Sequence, residues 1–168
     1  MKKIIVFIIF IPLMVFSQRY QSPKFSFDIA SGVYTNFRQW KENGVTGGYQ
    51  ISYNKDGMVY SANVIVGFGI SKNINNNNGY FQAFLESDAL IGREIHLGNE
   101  LLVIPQVGLG YLHYTNHFQG EKMNLIGVPV QFKITFFKKS RLTPALIPRV
   151  IFNKVQNNYS LLFALNFK

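Results

Sequence analysis

The sequence predicts an all-β protein, an eight-stranded antiparallel up-and-down transmembrane β-barrel behind a cleaved signal peptide. Three observations predict it. Apolar residues recur with a period of two, not 3.6, through almost the whole chain after residue 24. The segments between these runs alternate between tight turns and longer connections. The chain opens on a short basic start and a short apolar run, the layout of an export signal.

Composition points the same way. The chain has 168 residues, enough for one domain. Charged residues make up 15%, against ~25% in soluble domains, and aromatics also reach 15%. A hydrophobic content of 48% excludes intrinsic disorder. The cysteine count of 0 excludes a disulfide scaffold, a Cys-based zinc site, a cysteine nucleophile and a lipoprotein anchor. No cofactor is expected.

The leader comes first. Met1-Lys2-Lys3 is basic, and residues 4–16 are apolar apart from Pro12. Val15-Phe16-Ser17 offers a cleavage site before Gln18. The run is shorter than the ~20 residues of a spanning helix, which favours cleavage over a retained anchor. Residues 1–17 are therefore assigned as signal peptide, 18–24 as a lead-in and 25–168 as the barrel. The formal charge of +9 falls to +7 once Lys2 and Lys3 leave. No basic helix points to nucleic acid, so no such partner is expected. The basic residues, densest at Lys138, Lys139 and Arg141, are assigned to turns and loops beside anionic lipid headgroups.

Eight strands follow. In 25–34, Phe25, Phe27, Ile29 and Val33 oppose Ser26, Asp28, Ala30 and Gly32. In 48–54, Tyr49, Ile51 and Tyr53 oppose Gln50 and Ser52; in 58–70, Tyr60, Val64, Val66 and Phe68 oppose Ser61, Asn63 and Gly67. In 80–96, Phe81, Leu85 and Ile91 oppose Gln82, Glu86, Asp88 and Glu94. Strands 101–114, 123–136, 142–153 and 159–167 repeat the pattern, with Gln106, Gln131, Lys133 and Arg149 on the polar parity. Asp56-Gly57 and Gly98-Asn99 carry hairpin chemistry. Residues 36–47, 71–79, 115–122 and 154–158 are the longer connections and are expected on the outer side.

The polar parity is rich in Gly, Ser, Ala, Asn and Gln rather than Lys and Glu. Small residues suit the narrow lumen of an eight-stranded barrel, and the Phe, Tyr, Val, Ile and Leu parity suits lipid. Tyr53, Tyr60, Tyr111, Tyr159 and Phe167 lie near strand ends, where interfacial girdles sit. Pro105, Pro129, Pro144 and Pro148 fall inside strands and remove ladder donors, so bulges or locally opened pairing are expected there.

The ending Phe16-Ser17-Gln18 of the leader, the alternating strands and the terminal 159–168 segment resemble small outer-membrane β-barrel proteins of the Bacteroidota type. The stretches 104–111 and 127–132 are also similar to strand motifs of that group. The resemblance implies the outer membrane of a Gram-negative bacterium, contact with outer-membrane lipid and lipopolysaccharide, and insertion by the barrel assembly machinery. It implies an assembly-signal role for the C-terminal aromatic Phe167, although Lys168 follows it. It says almost nothing about activity.

Candidate sites are few. Asp28, Glu86, Asp88 and Glu94 share the polar parity with Lys133 and Arg149. If inward, they form a salt-bridged plug or line a selective path, and the narrow lumen favours the plug. His113-Tyr114-Thr115-Asn116-His117 resembles the His-x-Ser-Asn segment of lipid A 3-O-deacylase barrels. That likeness implies His113 as base, Thr115 in the place of the nucleophilic Ser and Glu121 as third member. The alternative is an interfacial His beside a loop Asn. His113 and His117 have a spacing that suits a helix face, whereas four residues on a strand span ~13 Å, so no metal site is expected. Phe37 and Trp40 in the first outer loop are contact candidates or interfacial anchors. The leading expectation, from a barrel pattern without a catalytic constellation, is a non-enzymatic envelope barrel with a structural or interaction role, or a subunit of an envelope complex. A deacylase-like hydrolase and a small-solute pore are the alternatives.

Overall fold

The computed structural model describes residues 24–36, 41–72, 79–116, 122–137, 141–155 and 157–168. The signal peptide 1–17, residues 18–23 of the lead-in, Phe37, Trp40, His117, Glu121, Lys138 and Lys139 lie outside them. The strands are β1 (Lys24–Asn36), β2 (Lys41–Lys55), β3 (Met58–Lys72), β4 (Gly79–Arg93), β5 (Ile95–Leu97), β6 (Leu101–Asn116), β7 (Lys122–Thr135), β8 (Leu142–Asn153) and β9 (Asn158–Phe167). Sequential neighbours other than β4 and β5 pair antiparallel, β1 pairs with β9, and β4 pairs with β6. The sheet therefore closes on itself. Short β5 continues β4 along β6 in the same register, so β4 and β5 are one interrupted strand and the barrel has eight staves.

The stagger can be walked. Lys24 pairs Asn54, Asn54 pairs Val59, Val59 pairs Gly92, and Gly92 pairs Gln106. Gln106 pairs Gln131, Gln131 pairs Arg149, Arg149 pairs Ser160, and Ser160 pairs Tyr34. One circuit returns to β1 ten residues further along. A shear of ten over eight strands tilts the strands by roughly 40°, with an interior just wide enough for side chains.

The strands run longer than the sequence predicts. The second begins at Lys41 instead of residue 48, so the first outer connection shrinks to residues 37–40. The missed stretch carries Gly44, Gly47 and Gly48 and a weak outer parity of Asn43, Val45 and Gly47. Pairing on both sides, to β1 and to β3, imposes the extended form that local propensity does not. At the other end Asp56 and Gly57 both have positive φ (54° and 78°), the two-residue hairpin turn that matches strand twist.

The prolines open the ladder without shifting it. β6 and β7 hold one register from Leu102 to Thr115, but the pairs around Gly108, Leu109, Val128 and Pro129 are missing. β7 and β8 likewise skip the positions around Phe132, Lys133, Ile147 and Pro148. The interruption between β4 and β5 falls opposite Pro105. In each case the proline keeps its pairing on the other side: Pro105 with Phe132, Pro129 with Ile151, Pro148 with Leu161. The missing N–H faces the gap. No extra residue enters, so the expected opening occurs and the expected bulges do not. Pro144 sits at a ladder end, where its carbonyl accepts from Phe136 N at 2.9 Å.

Alternation sorts the faces as the polar and apolar parities require. The outside carries Phe25, Ile51, Phe68, Leu109, Ile126 and Phe163, and Ile126 is 76% exposed. Such a belt is the surface of a barrel whose solvent is lipid, with every ladder group satisfied by closure. Phe25, Phe27, Tyr49, Tyr53 and Phe167 cluster at the turn end, with Phe25 and Tyr53 centroids 4.9 Å apart. The inside holds Asp28, Gln50, Asn63, Glu86, Asp88, Gln106, Gln131, Lys133 and Arg149, all buried.

Candidate functional site

Two places concentrate chemistry: the lumen and a polar notch on the outer wall. In the lumen the turn end begins with Lys133, whose Nζ donates to Asp28 Oδ2 at 2.6 Å. Asn166 Nδ2 donates to the other Asp28 oxygen at 2.8 Å, and Thr143 donates to Asn166 at 3.3 Å. Lys133 reaches β1 across the barrel from β7, and both partners are almost fully buried.

An amide layer lies above it. Gln131 Nε2 donates to Gln106 Oε1 at 2.7 Å and to Gln50 Oε1 at 3.0 Å. Gln106 Nε2 donates to Ser61 at 2.7 Å, and Gln50 Nε2 donates to Ser52 at 2.9 Å. Next, one guanidinium nitrogen of Arg149 donates to both Glu86 and Asp88, the latter at 2.6 Å. Glu86 and Asp88 share a face two residues apart on β4, and Arg149 on β8 faces them across the lumen. The structure thus joins Asp28 to Lys133, and Glu86 and Asp88 to Arg149. Glu94 stands apart from both groups: it lies in the β4–β5 break, 3.5 Å from His96, while its backbone N–H donates to Gly57 O at 2.8 Å. At this mouth burial pushes the Lys168 ammonium down from its usual range, and nearby Lys133 adds to the shift.

The outer half of the lumen is filled by groups that the sequence reading passed over. Tyr34, Phe84 and Tyr114 touch in series, the first contact edge-to-face and the second tilted, with centroids 4.9 Å and 5.6 Å apart. Ile65, Leu112, Ile147 and Leu162 pack round them. All lie on the polar parity of their strands, so an aromatic or aliphatic residue on that parity was the available signal. Gly67 and Gly69 make the room, because a Cβ at Gly67 would strike the Phe84 ring and one at Gly69 the Tyr34 hydroxyl. Tyr34 donates to Glu42, and Asn158 Nδ2 donates to Tyr114 Oη at 2.7 Å. Between the aromatic and charged layers is a cavity of about 10 Å³ lined by Tyr34, Thr46, Phe84, Glu86, Arg149 and Asn158. That is room for about one water.

The notch lies on β6 and β7 near the outer connections. Residues 111, 113, 115 and 124 share the lipid-facing parity with Leu109 and Ile126. Thr115 Oγ1 is 3.4 Å from His113 Nε2, and His113 Nδ1 is 2.6 Å from Asn124 Oδ1. Tyr111 donates to the same Asn124 oxygen at 2.8 Å. With the amide oxygen as acceptor, Nδ1 carries the proton and the Nε2 lone pair faces Thr115. Asn124 has no place in the sequence motif; cross-strand register brings it to His113. Glu121 lies outside the described residues. Phe167 lies at the outside turn end, 6.4 Å from Phe27.

No protein-family model matches the sequence, and no curated protein matches it. Solved structures match the fold. Neisserial surface protein A shares 10% identity at a TM-score of 0.69, over 88% of this chain and 99% of that one. The outer membrane protein OprG of Pseudomonas aeruginosa shares 10% at 0.57, over 84% and 95%. Ail, the attachment invasion locus protein of Yersinia pestis, crystallised with the heparin analogue sucrose octasulfate, shares 10% at 0.56, over 86% and 98%. The class is therefore the small closed eight-stranded barrel of the outer-membrane type.

Proposed function

We propose that this chain is an outer-membrane barrel of a Gram-negative envelope, of the Bacteroidota type, with a structural or interaction role and no catalytic one. The carrying observation is a lumen closed twice under an apolar belt, by charge pairs and amides at one end and by aromatic rings at the other. Such a barrel works from its wall and connections, not from its interior. Residues 1–17 are its export signal and Phe167 its assembly signal. Phe37 and Trp40 are its contact residues towards lipopolysaccharide or an envelope partner. The test is purification of a loop-tagged copy from outer membranes in mild detergent, with mass spectrometry of what accompanies it. A stoichiometric partner lost in a Phe37→Ala, Trp40→Ala variant is expected. A protein recovered from the soluble periplasmic fraction overturns the reading.

The Thr115–His113–Asn124 contacts favour a second reading, a hydrolase acting on acyl esters of lipid A. His113 would take the Thr115 proton, and Asn124 would hold the imidazole in the required tautomer. Lipid A mass spectra after overexpression decide it: lost acyl chains with the parent and none with His113→Ala support it. Identical spectra remove it.

A further inference from the structure

The buried charges of the lumen do not balance. Among the described residues, the buried acids are Asp28, Glu42, Glu86 and Asp88, and the buried bases are Lys133 and Arg149. Lys133 serves Asp28, and Arg149 serves Glu86 and Asp88. Glu42 is 1% exposed, and among the described residues no base pairs with it. Tyr34 donates to its Oε1, while its Oε2 has no hydrogen-bond partner.

Register sets Glu42 in a row. It pairs with Asn36 on β1, which pairs with Asn158 on β9, and all three side chains are buried on the lumen parity. Asn158 has spent its N–H on Tyr114, and its Oδ1 has no partner. Tyr34 and Tyr114 flank the same Phe84 ring. Carboxylate, amide and phenol oxygens thus lie at the outer end of the lumen, and two of them, Glu42 Oε2 and Asn158 Oδ1, are buried acceptors without a donor among the described residues. An unpaired buried acceptor is costly, and a buried carboxylate without a counter-charge more so. Hard cations are held by such oxygens.

We propose that the Glu42–Asn36–Asn158 row, with the Tyr34 and Tyr114 hydroxyls, binds a calcium-sized divalent cation at the outer end of the lumen. The ion supplies the charge that Glu42 lacks and a partner for both orphaned oxygens. With one carboxylate the site is weak, in the range of extracellular modules, about 10⁻⁴–10⁻³ M. It would fill where divalent ions are abundant.

The probe is terbium(III), whose emission is excited through nearby tyrosine, added to the full mature chain refolded in detergent. Tyrosine-excited emission that saturates, is displaced by calcium and is lost in Glu42→Gln is expected. Calcium should also raise the melting temperature of the parent and not of that variant. Asn158→Asp, which adds a carboxylate, should tighten terbium binding roughly tenfold, so the proposal does not depend on Glu42→Gln folding. Heat-modifiable gel mobility reports folding of each chain. Emission unchanged in Glu42→Gln, or no tightening in folded Asn158→Asp, overturns the proposal. So does an infrared band of a neutral carboxylic acid that Glu42→Gln removes and calcium does not, because a proton would then be the missing partner.

Discussion

Single residues in this lumen carry unequal weight. Lys133 and Asp28 form a pair so buried that removing one leaves the other without a counter-charge. Lys133→Met is expected to cost about 3–5 kcal/mol, read by urea unfolding in detergent micelles. Adding Asp28→Asn in the same chain should return most of that loss, because the penalty lies in the orphaned charge and not in the lost attraction. Recovery of nothing would mean that the Asn166 and Thr143 contacts carry the layer instead. Gly67 is sensitive for another reason. A side chain there meets the Phe84 ring, so Gly67→Val should cost about 1–3 kcal/mol in the same assay. Phe84→Ala should relieve part of it. Equal losses with and without Phe84 would show that the backbone, not the ring, needs the glycine.

At the scale of elements, β7 is the exception. β1, β2, β3 and β4 pair without a gap, whereas β7 misses pairs on both sides, towards β6 and towards β8. What the ladder lacks, side chains replace. Gln131 and Lys133 of β7 reach across to Gln50 on β2 and Asp28 on β1. Amides beside the two seams are expected to exchange with deuterium faster than those of the β2–β3 ladder, and faster still in Lys133→Met. Pro148→Val restores a donor facing β7 and should stabilise the barrel by about 1 kcal/mol, measured by urea midpoint. An unchanged midpoint would place the cause of that seam elsewhere. The same element shows what sequence could and could not give. Period-two alternation was enough to place Gln131, Lys133 and Arg149 inside and Val128 and Phe132 outside, because the pleat allows only two faces. It could not place Asn124 against His113 or Asn166 against Asp28, since those contacts depend on register between strands distant in sequence. Nor could it see the Tyr34–Phe84–Tyr114 cluster, because a parity judged polar by its majority hides the bulky minority that fills the bore. The extent of β2 was lost for a related reason: its glycines read as loop and are straightened only by neighbours on both sides.

For the whole molecule, the lumen is two closures in series. The turn-end half is shut by Lys133, Asp28 and the Gln50–Gln106–Gln131 layer, and the outer half by Tyr34, Phe84 and Tyr114 with their aliphatic packing. An ion must cross both, and resistances in series add, so opening one leaves the path blocked by the other. The unmodified barrel is expected to give no conductance steps in planar bilayers. The triple variant Tyr34→Ala, Phe84→Ala, Tyr114→Ala should also give none, although it loses stability through its cavity. The pair Gln131→Ala, Lys133→Ala should likewise stay silent. Only the chain carrying all five changes together with Arg149→Ala, which removes the bridge that Arg149 makes across the lumen to Glu86 and Asp88, should conduct, with heat-modifiable gel mobility confirming that it remains a closed barrel. Because Glu86 and Asp88 stay in that chain without a cation, its current should favour cations over anions. Steps from the triple variant alone would show that the turn-end half is no barrier, and would return the protein to the class of small pores.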